Sequence, residues 1–369
     1  MKHLIAFFKQ NTVVSIAFIL SVITSIIVPP DSAYLGYFNL TTLTCLFLTL
    51  AVICALKDIS FFSIVAQKIV ITTGNLRILA LALVYITFIG SMLIANDMAL
   101  ITFLPLGYFA LSVTHNKDKM AYIFILQNIS ANLGGMLTPF GNPQNLYLYS
   151  YFEIPTGEFV KIMFPPFVLA ITMLTLACFL VKPEKLTLRD DTGRKLNKKL
   201  TVLYLVLFLF SLLIVFRVIP YWIGLIIIPF VLLFVNRRVF KDVDWGLLGT
   251  FTLFFIFSGN MARIPAVQNF VGGLLEKSTL LVTIASCQVI SNVPSAILLS
   301  RFTENYRELL LGVNIGGAGT LISSLASLIT FSHYRNLYPG HTKEYLKLFA
   351  IMNIVFLFVM ALVAFMFFI

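Results

Sequence analysis

A chain of 369 residues in which 59% are hydrophobic and only 11% are charged has too few polar groups to cover a globular surface, which excludes a soluble domain. Its mean hydropathy is +0.97. Its apolar runs extend over roughly 17–22 residues, the length that a helix needs to cross ~30 Å of hydrocarbon. The net charge of +11 lies mostly in short connections between these runs, which is typical of membrane topology and not of a nucleic-acid surface.

Nine apolar runs predict full crossings of the membrane. They are residues 11–29, 39–56, 120–150, 162–181, 200–217, 220–236, 246–259, 309–331 and 347–368. Two more apolar stretches, 77–113 and 278–301, are each divided by a polar tip, and the second is too short for two crossings. We therefore interpret both as re-entrant hairpins, which enter and leave the membrane on the same side.

The basic residues predict the orientation. With a cytoplasmic N-terminus, 20 of the 26 Lys and Arg residues lie on the cytoplasmic side and 6 on the outer side, as the positive-inside rule requires. The outer set is Lys161, Arg217, Arg263, Lys277, Arg301 and Arg307. The charged segment 182–199 is predicted to be a cytoplasmic linker between two halves, residues 1–181 and 200–369.

Residues 131–145 interrupt an apolar run with glycine, proline and asparagine. Such residues leave backbone groups unpaired, which is tolerated at membrane depth only where the backbone faces protein or a water-filled cavity. The stretch therefore predicts an interrupted helix over 120–150 and a binding site within it. A shift of 182 residues aligns Asn132 with Asn314, and Thr138 with Thr320, so 309–331 is predicted to be a second interrupted helix.

The hairpin tips also correspond. The first reads Ala-Asn-Asp at 95–97 and the second reads Ser-Asn-Val at 291–293. Because the first hairpin is predicted to enter from the inside and the second from the outside, the two halves have opposite topology. We therefore predict an all-α polytopic membrane protein with inverted repeats, two re-entrant hairpins and two interrupted transmembrane helices, an architecture typical of secondary transporters.

The candidate site residues follow from these breaks and tips. Asp97 is the one acidic residue of 15 within an apolar stretch, which indicates an ion or proton site. The alternatives are an acid at the membrane interface, if the hairpin is shallow, and an N-cap of a helix that starts at Met98. Amide oxygens suit a monovalent cation, and helix N-termini suit an anion, although a lone membrane asparagine also serves helix packing. The predicted substrate and ion site comprises Asn96, Asp97, Asn132, Thr138, Gly141, Asn142, Pro143, Asn145, Ser291, Asn292, Val293, Asn314, Thr320, Ser323 and Ser324. The sodium candidates among them are Asn96, Asn132, Asn292 and Asn314.

These motifs resemble the ion transporter superfamily of secondary carriers, which includes divalent-anion/sodium symporters, citrate carriers and arsenite permeases. The tips are similar to the Ser-Asn-Thr tips of the symporters, and Gly-Asn-Pro-Gln-Asn at 141–145 is similar to their Gly-Thr-Pro-Pro-Asn loop. The Ala-Asn-Asp tip and Gly-Val-Asn-Ile-Gly at 312–316 look more like the arsenite permease branch, among permeases of the bacterial inner membrane.

The resemblance implies a scaffold domain and a transport domain, coupling to Na⁺ or H⁺, a homodimer, an elevator-like movement and a multi-pass protein of the bacterial cytoplasmic membrane. We expect a cation-coupled transporter of a small anion, such as a di- or tricarboxylate or an oxyanion. The alternatives are efflux of arsenite or antimonite, with a soluble ATPase as a partner in that case, and an uncoupled channel. No hydrolase or P-loop pattern is present, so we expect neither an enzyme nor a resident cofactor.

Overall fold

The computed structural model describes residues 12–186 and 196–367, and this part of the chain is nearly all helical. The helices of the first half are α1 Thr12–Ile27, α2 Leu40–Asp58, α3 Phe61–Ile71, α4 Leu76–Ile94, α5 Asn96–Val113, α6 Met120–Gly134, α7 Pro143–Tyr151 and α8 Thr156–Phe179. Those of the second half are α9 Lys198–Val215, α10 Tyr221–Asn236, α11 Val239–Asp242, α12 Trp245–Met261, α13 Pro265–Lys277, α14 Thr279–Ile290, α15 Asn292–Leu299, α16 Tyr306–Gly316, α17 Leu325–Leu337 and α18 Thr342–Phe367.

The all-helical membrane fold is confirmed. Within the described residues, seven helices are long and apolar enough to cross a membrane, or eight if the bent pair α12 and α13 forms one span. Large apolar side chains stand exposed along these helices, for example Phe358 and Phe365 on α18, as expected for a surface in contact with lipid. The predicted linker lies partly outside the described residues, which omit 187–195.

The two predicted hairpins differ in length. The arms of the first, α4 and α5, have 19 and 18 residues, and each is long enough to cross the membrane. The arms of the second, α14 and α15, have only 12 and 8 residues, which at ~1.5 Å per residue is too short for a crossing. Re-entrance of the first hairpin therefore stays a prediction, because its length also fits two complete spans.

Apart from the single turn α11, two helices were not predicted. Residues 57–76 and 260–277 lie between the predicted elements, yet they contain α3 and α13. Each of these helices directly precedes a hairpin, and α13 turns by 99° from α12. Both are short, and α13 is mostly exposed, so neither has the long apolar signal by which crossings are recognised.

Helix packing is equivalent in the two halves. The first arm of each hairpin packs against the helix that precedes the break of the same half, α4 against α6 and α14 against α16. The second arm packs against the helix that follows the break of the other half, α5 against α17 and α15 against α7. The two hairpins thus enclose both breaks. Each half contributes one wall to the break of the other.

Close approach of α4 to α6 requires the glycine at position 134. A Cβ at Gly134 would lie 2.3 Å from the carbonyl oxygen of Phe88 and 2.6 Å from Oγ of Ser91. Gly316 has the same place in the second half, where a Cβ would lie 2.8 Å from Cβ of Cys287. Both contacts are far shorter than van der Waals distance, so a side chain at either position would push a hairpin away from its break.

We expect Gly134→Ala to lower the free energy of unfolding by about 1–3 kcal/mol, because the rigid backbone of α4 has to move. The measurement is thermal unfolding of the purified protein in detergent, followed by intrinsic fluorescence. The matched control is Gly157→Ala, since Gly157 lies in the first turn of α8 with nothing within 4 Å of a Cβ. Equal stability of the two variants would contradict the packing constraint.

Candidate functional site

The two hairpin tips have the same local structure. Ala95 and Ser291 are the residues between the arms, and both have positive φ angles, 64° and 77°, with ψ angles of 153° and 160°. The next residue is an asparagine in both tips. Asn96 Oδ1 accepts a hydrogen bond from the N–H of Asp97 at 2.9 Å, and Asn292 Oδ1 accepts one from the N–H of Val293 at 2.8 Å. A positive φ in a residue with a side chain is strained, so its occurrence at both tips is informative.

Each break is tied to its own hairpin by a threonine. Thr138 Oγ1 donates to the carbonyl of Met92 at 2.8 Å, and Thr320 Oγ1 donates to the carbonyl of Gln288 at 3.1 Å. These two carbonyls lie three residues before their respective tips. Thr138 and Thr320, which were predicted to bind the substrate, therefore position the break against the hairpin in this structure.

The two breaks meet in a crossed pair of contacts. Ser324 Oγ donates to Asn132 Oδ1 at 2.6 Å, and Asn142 Nδ2 donates to Asn314 Oδ1 at 3.2 Å. The shift of 182 residues that aligns Asn132 with Asn314 also aligns Asn142 with Ser324. The two contacts are therefore equivalent. In each one, an asparagine of the helix before one break bonds the residue that directly precedes the helix after the other break.

We call this pair of contacts, Asn132 with Ser324 and Asn142 with Asn314, the crossing. The hairpin tips reach the crossing from both sides. Asn96 Nδ2 donates to Asn132 Oδ1 at 3.3 Å. The N–H of Asn292 donates to the carbonyl of Ser323 at 2.9 Å, directly beside Ser324. Sequence analysis predicted that two breaks and two tips share one site, and the structure brings Asn96, Asn132, Asn292 and Ser324 together in one hydrogen-bonded cluster.

Asn145 pairs backbone groups of the first break, and its role in binding stays a prediction. Its Nδ2 lies within 3.2–3.4 Å of the carbonyls of Gly135, Met136 and Thr138, and its Oδ1 accepts from Asn314 Nδ2 at 2.6 Å. The side chain thus pairs carbonyls that the first break frees. Its neighbours Gly141 and Pro143 shape the loop: a Cβ at Gly141 would lie 2.4 Å from the carbonyl oxygen of Gly135.

Several buried polar atoms at the crossing have no partner among the described residues. They include the donor Nδ2 of Asn132 and the acceptors Oδ1 of Asn142 and Oε1 of Gln144. These three residues are at most 2% exposed. Buried amide groups are nearly always hydrogen-bonded, because an unpaired group loses the hydrogen bonds it had in water. A spare donor beside a spare acceptor is the arrangement expected of a site that takes a polar or charged ligand.

A narrow cavity of about 60 Å³ lies beside the first tip. Its lining includes Asp97, Asp244, Thr49 of α2, Pro143 of α7 and Leu325 of α17, and no lysine or arginine among the residues that the structure describes. Asp97 Oδ1 is buried and has no hydrogen-bond partner among the described residues. The alternative of an N-cap before Met98 is wrong, because α5 begins at Asn96 and the Asp97 carboxylate caps no helix.

Sequence analysis missed three polar residues of this region. Asp244 caps α12 by accepting from the N–H of Leu247 at 2.8 Å, and an aspartate directly before an apolar run is a recognisable N-cap signal. Gln288 pairs the carbonyl of Gly316 at 2.8 Å and the N–H of Thr320 at 2.8 Å, and it stands out as a polar residue within an apolar arm. Gln144 was missed because it was read only as part of a loop motif.

Comparisons with known proteins agree with this architecture. The family described as citrate transporter (CitMHS) matches residues 4–305. The chain is 33% identical over 292 residues to Uncharacterized transporter MJ0456 of Methanocaldococcus jannaschii, covering 78% of this chain and 79% of the relative. It is 31% identical over 275 residues to Inner membrane protein YbiR of Escherichia coli, covering 73% of each. This chain is therefore a multi-pass membrane protein that belongs to the citrate transporter family of the ion transporter superfamily.

Proposed function

We propose that the protein is a cation-coupled secondary active transporter of a small anion, with a di- or tricarboxylate as the first class to test. The observation that carries the proposal is the crossing of the two breaks, where Asn132 keeps a spare donor and Asn142 a spare acceptor inside the protein. Other buried atoms of the described residues are unpaired as well, for example Asn353 Oδ1 of α18, but at the crossing they lie where two helix breaks meet. The cost of burying the groups of the crossing is returned when a ligand pairs with them.

The substrate anion would be held without a basic side chain. The helices α7 and α17 begin at the crossing, directly after Asn142 and Ser324. The positive ends of their dipoles favour negative charge at this point. The dipole and not the first N–H groups carries this effect, because α7 begins with Pro143 and the N–H of Ala326 in α17 is paired with Ser324 Oγ. Asn132 Nδ2 adds a spare side-chain donor. A carboxylate oxygen is a suitable acceptor for such a donor. The family description names citrate, which is a tricarboxylate.

The coupling cation would enter beside the first tip. Asp97 and Asp244 both line the narrow cavity, and no basic residue lines it with them. Two carboxylates in an apolar cavity repel each other and attract a cation, with a strength that grows as the local dielectric constant falls. A bound Na⁺, or a proton, would therefore stabilise this part of the protein and add positive charge near the anion. The sodium candidates Asn96 and Asn132 stand next to the same tip.

Movement of the hairpins and breaks against α1, α2 and α12 would carry the site across the membrane, in an elevator-like manner. A homodimer, a cytoplasmic N-terminus and a location in the cytoplasmic membrane belong to the same proposal. Efflux of arsenite or antimonite is the second candidate. It is favoured by the absence of lysine and arginine from the cavity lining, since these substrates are neutral trihydroxides at pH 7.

We expect Asn132→Ala to reduce uptake of radiolabelled citrate into proteoliposomes about tenfold or more, because the anion loses a buried donor worth about 1.4 kcal/mol. The control is Asn353→Ala, a buried asparagine of α18 whose hydrogen bond stays within its own helix, to the carbonyl of Phe349. Malate, succinate and phosphate are tested in the same assay. Uptake that Asn132→Ala and Asn353→Ala reduce equally would contradict the assignment of the site.

We expect Asp244→Asn to abolish most of the stimulation of uptake by an inward Na⁺ or H⁺ gradient, because one of two carboxylates that attract the cation is lost. The matched control is Asp242→Asn, an exposed acid two residues away that does not line the cavity. Stimulation that survives in Asp244→Asn would contradict the coupling assignment. Uptake that is independent of any cation gradient in the unaltered protein would favour a channel.

The second candidate has its own test. We expect expression of the protein in a bacterial strain that lacks arsenite export to leave its sensitivity to arsenite and antimonite unchanged. Growth is compared at graded metalloid concentrations, with and without a co-expressed ATPase of an arsenite export system. Rescue of growth in either case would replace carboxylate transport by metalloid efflux.

A further inference from the structure

The connection between α1 and α2, residues 28–39, crosses one end of the helix bundle, and we call it the strap. An ion pair holds it: Arg263, at the corner between α12 and α13, donates through Nη1 and Nη2 to the two carboxylate oxygens of Asp31 at 3.0 and 2.7 Å. Arg263 keeps the pKa of the Asp31 carboxyl below its usual value, so this pair stays ionised at neutral pH. The bidentate geometry fixes the orientation of the strap relative to α12.

The far end of the strap is fixed by Tyr37. Its ring lies against Gly259 of α12, where a Cβ would be 2.4 Å from the ring, and its hydroxyl accepts from Nη1 of Arg263 at 3.1 Å. Tyr34 adds a bond from its hydroxyl to the carbonyl of Val28 at 2.5 Å. The strap is therefore one unit with α1 and α12, which pack closely against each other.

Arg301 connects this unit to the second hairpin. It follows α15 by two residues, and its Nη2 donates to the carbonyl of Tyr37 at 2.6 Å. Its guanidinium lies over the ring of Tyr151, at the end of α7, with 5.3 Å to the ring centroid. Ser300, beside it, bonds the hydroxyl of Tyr147 on α7 at 2.8 Å. We call Ser300 and Arg301, which directly follow α15, the exit of the second hairpin. Through Arg301, this exit contacts the strap on one side and α7 on the other.

Arg301 is incompletely paired. Its Nε is buried without a hydrogen-bond partner, and within the described residues no carboxylate lies within ion-pair distance of it. Its contact with the strap is a single bond to a neutral carbonyl. Such a contact is easier to exchange than the bidentate pair of Asp31 and Arg263. The strong pair lies within the unit of α1, α12 and the strap, and the weaker bond lies between that unit and the hairpin.

We propose that the strap is a latch on the exit of the second hairpin, which it holds through the bond from Arg301 to Tyr37 and releases when that bond breaks. Ser150 of α7 donates to Asn39 Oδ1 of the strap at 3.4 Å, and this long bond is the second contact that has to open before α7 leaves the strap. The inference rests on the proposed transport movement, because α15 and α7 are the parts that would move against α1, α2 and α12. Release would separate the strap from the exit of the hairpin and open the end of the bundle on which Arg217, Arg263 and Arg301 are predicted to face the outside.

The test measures the distance between strap and hairpin directly and needs no substrate. Nitroxide labels are attached at Gly36→Cys on the strap and at Glu304→Cys after the hairpin, and both positions are exposed. The distance between the two labels is measured by double electron–electron resonance in nanodiscs. Nothing lies within 4 Å of a Cβ at Gly36, so the label fits. The four native cysteines are buried and are not expected to react during brief labelling.

We expect one dominant distance in the doubly labelled protein. Arg301→Gln should raise the fraction of a second, longer distance by at least about fivefold, and Asp31→Asn should raise it by a smaller factor because the strap stays attached through Tyr37. The matched control is Arg307→Gln, which removes a positive charge from the same predicted face without any bond to the strap, and which should reproduce the original distribution.

Identical distributions for Arg301→Gln and Arg307→Gln would overturn the latch. Should Arg301→Gln fail to fold, Asp31→Asn decides alone, because its ion pair is partly exposed and its removal is tolerated more easily; an unchanged distribution then overturns the proposal. Proteoliposome uptake by the same variants separates the two claims: a shifted distance with no uptake of any anion supports the latch and contradicts the proposed function.

Discussion

A helix that breaks inside a membrane frees carbonyl and N–H groups that cannot turn to water, and the rest of this structure depends on how those groups are paired. In the first break, Asn145 alone lies within hydrogen-bonding distance of the carbonyls of three residues. In the second break, Gln288 pairs the carbonyl of Gly316, and Ser323 pairs that of Gly317. The freed carbonyls are thus paired in both breaks, by different side chains on an equivalent backbone.

The pairing of the breaks also locates the site. Asn145, Gln288 and Ser323 pair carbonyls of the breaks, and the two threonines pair carbonyls of the hairpins. The other polar side chains of the crossing include Asn132, Asn142, Asn314 and Ser324, and these bond each other across the two halves. A ligand that binds here has to use the spare atoms of Asn132 and Asn142 or replace a bond between the halves. Binding and the relative position of the two halves are therefore coupled by the same hydrogen bonds.

Hydropathy and the polar interruptions were sufficient to predict the helical membrane fold, both breaks and both tips, because each of these has a local signal. The helices α3 and α13 were missed, since neither is long and apolar. The individual roles of Asn145, Thr138 and Thr320 were not predictable, because an amide or hydroxyl that binds a ligand and one that pairs a backbone carbonyl look the same in a sequence. Asp244 was missed because it belongs to the other half of the chain, and only the folded structure brings it and Asp97 to the lining of one cavity.

The halves differ most where charge is concerned. The two tips share a strained backbone and an asparagine, yet the next residue is Asp97 in the first tip and Val293 in the second. Asp244 strengthens this difference, because it lines the same cavity as Asp97. A symmetric backbone with an acidic group on one side only gives the crossing an uneven electrostatic field, which attracts a cation to the first tip and leaves the second tip neutral. Under the proposed function, the equivalent backbone is suited to a movement that both halves share, and the acidic cavity at the first tip is the place where a coupling cation would act.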